Sequence, residues 1–216
     1  MQARPPQRRI LLDEPVTTLT DYAIAIAAGA FSVFLLAEAG ERSVMLVSAG
    51  AFAVNAVAAA LGGTSHGIGR RLSRERARAV WTSSLWCVQL SSLLLAGAVL
   101  IARLPPPGAA AAITVIAGKT LAVATRIALS PRFPHAAIDA ATSLSVVALV
   151  EALAWLGGTS SSAPWMLAAC TVTGAGVLIQ RSGRGWGSRL THNDLFHIAQ
   201  LAATPLFYRG ALLLDR

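Results

Sequence analysis

Seven apolar stretches of membrane-spanning length follow one another along this chain, and no other feature narrows its fold as much. They cover residues 21–37, 44–63, 79–102, 109–128, 136–156, 164–180 and 195–214. A helix needs about 20 predominantly apolar residues to cross the hydrocarbon of a bilayer. The 216 residues are 55% hydrophobic and only 13% charged, where a soluble domain carries about a quarter charged residues. Composition therefore excludes disorder, coiled coil, collagen and a disulfide scaffold. The expected fold is all-α: a polytopic bundle of seven transmembrane helices. It forms a single domain over residues 21–216, preceded by a cytoplasmic N-terminal segment, residues 1–20.

The connectors carry turn chemistry. Leu104-Pro105-Pro106-Pro107-Gly108 and Ser130-Pro131-Arg132-Phe133-Pro134 each stop one helix and start another, and residues 157–162 form a Gly/Ser link. Irregular backbone cannot face lipid, so these stretches belong at the two membrane surfaces. No repeat of fixed period is visible. Ala37-Glu38-Ala39 fits a small-x-small cleavage pattern, but a leader containing Asp13, Glu14 and Asp21 is unlike a short basic n-region. The first stretch therefore reads as a span and not as a signal peptide.

Of 18 basic residues only Lys119 is a lysine, and the formal net charge is +8. In a soluble protein such a balance would point to nucleic acid; here no soluble segment is long enough for a recognition module. Arginine in short loops instead orients a membrane protein and faces anionic headgroups. With seven spans, thirteen arginines share the N-terminal side. They include Arg4, Arg8 and Arg9, the run from Arg70 to Arg78, and Arg126, Arg132, Arg181, Arg184 and Arg189. Arg42, Arg103, Arg209 and Arg216 fall opposite. This places the N-terminus in the cytoplasm and the C-terminus outside. Richness in Ala, Arg and Gly with a single Lys points to a GC-rich bacterial genome, hence to the inner membrane. Membrane lipids, with anionic headgroups at the cytoplasmic loops, are the expected partners.

On this topology all four histidines lie near the cytoplasmic surface. His66 ends the second span, His135 begins the fifth, and His192 and His197 begin the seventh. Asp13, Glu14 and Asp21 sit at the same depth, Asp139 lies one turn after His135, and Asp194 precedes His197 by three residues. Ionisable groups are costly in lipid and face a bundle interior or a wet cavity. Asp194 and His197 share a helix face, whereas His192 and His197, five apart, do not. Asn55, Gly62 and His66 fall on one stripe of the second helix, and Gly62-Gly63 permits close approach of another helix there. The plainer readings are a headgroup contact for each His and a helix cap for Asn193-Asp194. Thr17, Thr18 and Thr20 read as polar filler or helix caps. Cys87 and Cys170 lie in apolar stretches as packing residues.

Three short motifs carry a resemblance. Glu14-Pro15-Val16-Thr17-Thr18-Leu19-Thr20-Asp21 opens the first span, and Gly62-Gly63-Thr64-Ser65-His66-Gly67 ends the second. His192-Asn193-Asp194-Leu195-Phe196-His197-Ile198-Ala199-Gln200 opens the seventh, with Leu206-Phe207-Tyr208-Arg209-Gly210 after it. Together they resemble the seven-span superfamily of alkaline ceramidases and progestin and adiponectin receptors. The resemblance implies a zinc site with one His from the second helix and a His pair from the seventh, assisted by Ser and Asp. By position His66 and His197 are the implied ligands. Asn193 stands where the other His of the pair would be, so His192 or Asp194 must supply the third ligand. Gly62 occupies the place of the family's Ser. The third span holds no acid, and Asp139 is the substitute we weigh for the family's Asp.

The function that follows is a zinc-dependent hydrolase of a lipid amide or ester at the inner leaflet. Asp139 or Asp21 would serve as general base or as the orienter of a ligand His. The alternatives are a non-catalytic lipid-binding or structural protein, and a small transporter in which Lys119 pairs with Glu151. Bis-histidine haem ligation by His66 and His135 is a further option of lower weight.

Overall fold

A computed structural model describes residues 12–187 and 190–214. Arg4, Arg8, Arg9, Arg189 and Arg216, used above for orientation, lie outside the described residues, as do residues 1–11 of the expected N-terminal segment. The described residues form seven α-helices: α1 Pro15–Ala39, α2 Ser43–Ile68, α3 Arg74–Arg103, α4 Pro106–Leu129, α5 Phe133–Leu156, α6 Ala163–Ser182 and α7 His192–Leu212. A short 3-10 turn, Gly69–Arg71, continues α2.

Six helices, α1 to α6, are long and apolar enough to cross a membrane. α7 has 21 residues, about 32 Å at 1.5 Å per residue. Its first half, however, carries His192, Asn193, Asp194, His197 and Gln200, which lowers its hydropathy. Proline opens four helices, α1, α4, α5 and α6, within their first two positions. There its fixed φ suits the helix and its missing N–H costs nothing. This explains the largest shift from the expected boundaries: α1 begins at Pro15, so Asp21 lies inside the helix and not at its mouth.

Helix contacts close a ring in the order α1, α2, α3, α5, α6, α7 and back to α1. α4 packs outside it against α3 and α5. The end of the ring that holds the α1–α2 turn is a dry core of Leu35, Met45, Phe52, Val99, Leu100 and Met166. α6 and α7 approach closely because residue 210 is glycine: a Cβ there would lie 2.8 Å from Met166 Cγ. Interhelical hydroxyl bonds stitch the wall. Ser32 donates to Ala49 O, Ser84 to Ala58 O and Ser91 to Ala51 O, each at 2.9 Å. Outward-facing Ile26, Val115, Leu121 and Leu149 are exposed, the surface expected where lipid is the solvent.

Two ion pairs on buried carboxylates correct the expected pairing of Lys119 with Glu151. Lys119 Nζ lies 2.8 Å from Asp139 Oδ1, and Arg103 Nε lies 3.0 Å from Glu151 Oε1. Asp139 and Glu151 are twelve residues apart on α5, about 18 Å along its axis. α4 meets α5 at Asp139, and the end of α3 meets it at Glu151, so one acid serves each helix.

Candidate metal centre

Thr17 and Asp21, four residues apart, share one face of α1, and Glu14 stands just before the helix as its N-cap residue. That face meets the end of α2 and the start of α7. Gly62 and Gly63 make room for it: a Cβ at Gly62 would lie 3.1 Å from Asp21 Oδ2, and one at Gly63 3.1 Å from Asp21 Cβ. Asp21 is thereby almost fully buried.

Asp21, His66 and His197 are the one group of metal-capable side chains found among the described residues. One donor atom from each lies within 4.8 Å of the others. Nδ1 of His197 lies 2.7 Å from Asp21 Oδ1. Nδ1 of His66 lies 3.2 Å from Glu14 Oε2. The two rings stand 5.5 Å apart at 74°. The fit to a cation rests on an orphan: Asp21 Oδ2 is buried and has no hydrogen-bond partner. An unpartnered buried carboxylate oxygen carries the full cost of its desolvation, and a cation between it and two imidazoles removes that cost. Two nitrogens and one oxygen are donors that suit zinc, with a fourth position left open.

The other anticipated site residues are placed elsewhere. Asp194 is the N3 residue of a capping box on α7. Its Oδ2 accepts from Thr191 N and Thr191 Oγ1, both at 2.8 Å, and its Oδ1 accepts from Thr17 Oγ1 at 2.7 Å. The carboxylate is turned back onto its own helix end and onto α1, away from His197. Thr17, read as filler, is the hydroxyl that joins the two helices there. His192 is the first residue of α7 and lines a separate shallow cavity with Asp13, Glu14 and Asn193. Asp139 is fully buried against Lys119, with Thr120 Oγ1 3.3 Å from both its oxygens. His135 is not in the group, and its Nδ1 is buried without a hydrogen-bond partner. Asp21 was anticipated as a base or orienter and stands instead in ligand position. Glu14, placed at the same depth by the sequence, was not among the anticipated site residues; it precedes the first helical turn, where helical spacing does not give the direction of its side chain.

The centre heads a cavity of about 790 Å³. Asp21, His66, Trp81 and His197 form the head. Ile24, Phe52, Leu95, Leu144, Leu167 and Phe207 line the apolar body. Asn55, Gly62 and His66 all face it, as their stripe on α2 requires. Among the lining residues Ala141 and Ser145 of α5 and Thr171, Gly174 and Leu178 of α6 are exposed. The cavity therefore reaches the outside of the bundle between these two helices.

Residues 16–216 match a family of unknown function, DUF6962, and the chain belongs to it. No curated protein and no solved structure matches the chain.

Proposed function

For this member of a family of unknown function, we propose a zinc-dependent hydrolase that cleaves a lipid amide or ester within the membrane. The observation that carries the reading is the convergence of Asp21, His66 and His197, with an orphaned carboxylate oxygen, at the head of an apolar cavity open to lipid. The resemblance of the same histidine motifs to the alkaline ceramidase superfamily points the same way. In this reading α7 is a seventh span. The arginine-rich side is cytoplasmic and the C-terminus lies outside, so the centre sits under the inner leaflet of a bacterial inner membrane.

His66, His197 and Asp21 hold the cation. Zinc, when bound, supplies Lewis-acid polarisation of the scissile carbonyl and brings the pKa of a bound water toward ~7. The protein supplies the rest. The apolar body takes an acyl chain that slides in between α5 and α6. A pocket of 300–1,000 Å³ lined by apolar groups with a few polar ones suits such a ligand. Gln200, one turn beyond His197 on the cavity wall, orients the carbonyl oxygen. Water adds to the carbonyl carbon, the C–N or C–O bond breaks, and the products are a fatty acid and an amine or alcohol.

Metal analysis of detergent-purified protein tests the ligand set. Wild type is expected to hold close to one zinc, and H66A, H197A and D21A to lose it and to lose release of fatty acid from a fluorescent N-acyl lipid. Zinc content unchanged in all three variants refutes the proposal. A second reading, a lipid carrier without turnover, draws on the commitment of the nearby Ser84 hydroxyl to Ala58 O and of Asp139 to Lys119. It expects a lipid co-purifying in the cavity and no hydrolysis with zinc present.

A further inference from the structure

The ligand set above makes no use of Glu14, yet this residue is fixed at two levels. Its backbone N–H donates to His66 O at 3.1 Å, Asp13 N–H donates to Gly67 O at 3.0 Å, and Arg70 N–H donates to Asp13 Oδ2 at 3.3 Å. Residues 13 and 14 thus form a strap across the last turn of α2, where helix carbonyls lack partners of their own. The strap delivers one carboxylate oxygen, Glu14 Oε2, to two side chains from different helices. It lies 3.2 Å from His66 Nδ1 on α2 and accepts from Asn193 Nδ2 on α7 at 3.0 Å.

An imidazole whose Nδ1–H donates to a carboxylate is held in one tautomer and one ring orientation, with the Nε2 lone pair free to ligate. We propose that Glu14 is the positioning residue of the centre: it fixes the tautomer and orientation of His66 so that Nε2 is the nitrogen offered to the cation. Asn193, which stands where the superfamily's motif has a His, is then the brace that holds Glu14 against α7. Asp21, by contrast, belongs to the ligand group itself, with its Oδ1 2.7 Å from His197 Nδ1. The cation in this inference rests on the zinc reading above; the orientation of the ring does not.

The test uses the full chain in detergent, labelled with ¹⁵N-histidine. The sequence has only four histidines, and H66Q assigns the His66 resonances. Wild type is expected to show His66 protonated at Nδ1 with a pyridine-like Nε2. In E14A the His66 nitrogens average toward a mixed tautomer, and zinc affinity, read by chelator competition, falls about 10–100-fold. In E14Q, which keeps the shape with a weaker acceptor, the Nδ1–H proton moves upfield and affinity falls less than in E14A. Should E14A fail to fold, E14Q alone decides: an unmoved His66 proton overturns the proposal. Zinc loss with unchanged His66 nitrogens also overturns it, because Glu14 would then be acting on the metal directly. If wild type takes up no zinc while the His66 resonances respond to E14A, the zinc reading fails and the positioning role stands.

Discussion

Glu151 offers the sharpest quantitative test of the fold. It is fully buried near the end of α5. Its Oε1 accepts from Arg103 Nε at 3.0 Å, and its Oε2 accepts from Ser160 at 2.6 Å and Ser162 at 2.7 Å. Arg103 Nη2 donates to the same two serines at 3.0 and 2.6 Å. The clasp ties the end of α3, the end of α5 and the start of α6. Glu151→Ala leaves the Arg103 guanidinium, itself only 11% exposed, without its counter-charge. Breaking such a pair on one side costs about 3–5 kcal/mol. For a chain of this size each kcal/mol lowers the midpoint by about 2–4 °C, so the expected drop is roughly 6–20 °C. Replacing both partners by Met removes the stranded charge and should recover most of that loss. Cys87 and Cys170 are free and half-buried, so a thiol-reactive fluorophore can follow unfolding in detergent without introduced cysteines. A Glu151→Ala protein as stable as wild type, or a double variant no better than the single one, refutes the account.

Three further outcomes follow from other contacts. Gln89 is buried with both amide atoms unpartnered among the described residues; Gln89→Leu removes that penalty and should stabilise by about 1–3 kcal/mol in the same thermal scan. Thr17→Val deletes the 2.7 Å bond to Asp194, which costs about 1.5–3 kcal/mol as a bond to a charged group; an unchanged midpoint counts against the α1–α7 junction. Ala141→Trp narrows the gap between α5 and α6 without touching the centre; lipid hydrolysis should slow while zinc content stays at the wild-type level.

The helices were legible in the sequence because lipid demands the same thing of every span, and Pro106, Pro134 and Pro164 mark where three of them start. Hydropathy alone puts the first span at Asp21, six residues after the helix begins, since Pro15 to Thr20 are helical without being uniformly apolar. His66 and His197 could be chosen by depth. Their carboxylate partners could not, because that requires knowing that α1 lies against both α2 and α7. Asp194 illustrates the difficulty. Spacing puts it on the His197 face, and the backbone of its own first turn takes the side chain instead. Lys119 shows the same limit: depth paired it with Glu151, and helix adjacency gave it Asp139.

Asp21 and His197 come from the first and last helices, and the bond that joins those helices, Thr17 to Asp194, spans 177 positions. At about 5–20 residues per second on the ribosome, the first helix waits roughly 10–35 s in the bilayer before the last one emerges. Throughout that interval Asp21 is without His197, whose Nδ1 lies 2.7 Å from its Oδ1 in the folded chain. Packing of α7 against α1 is therefore the late step that brings His197 to within 2.7 Å of Asp21 and completes the group.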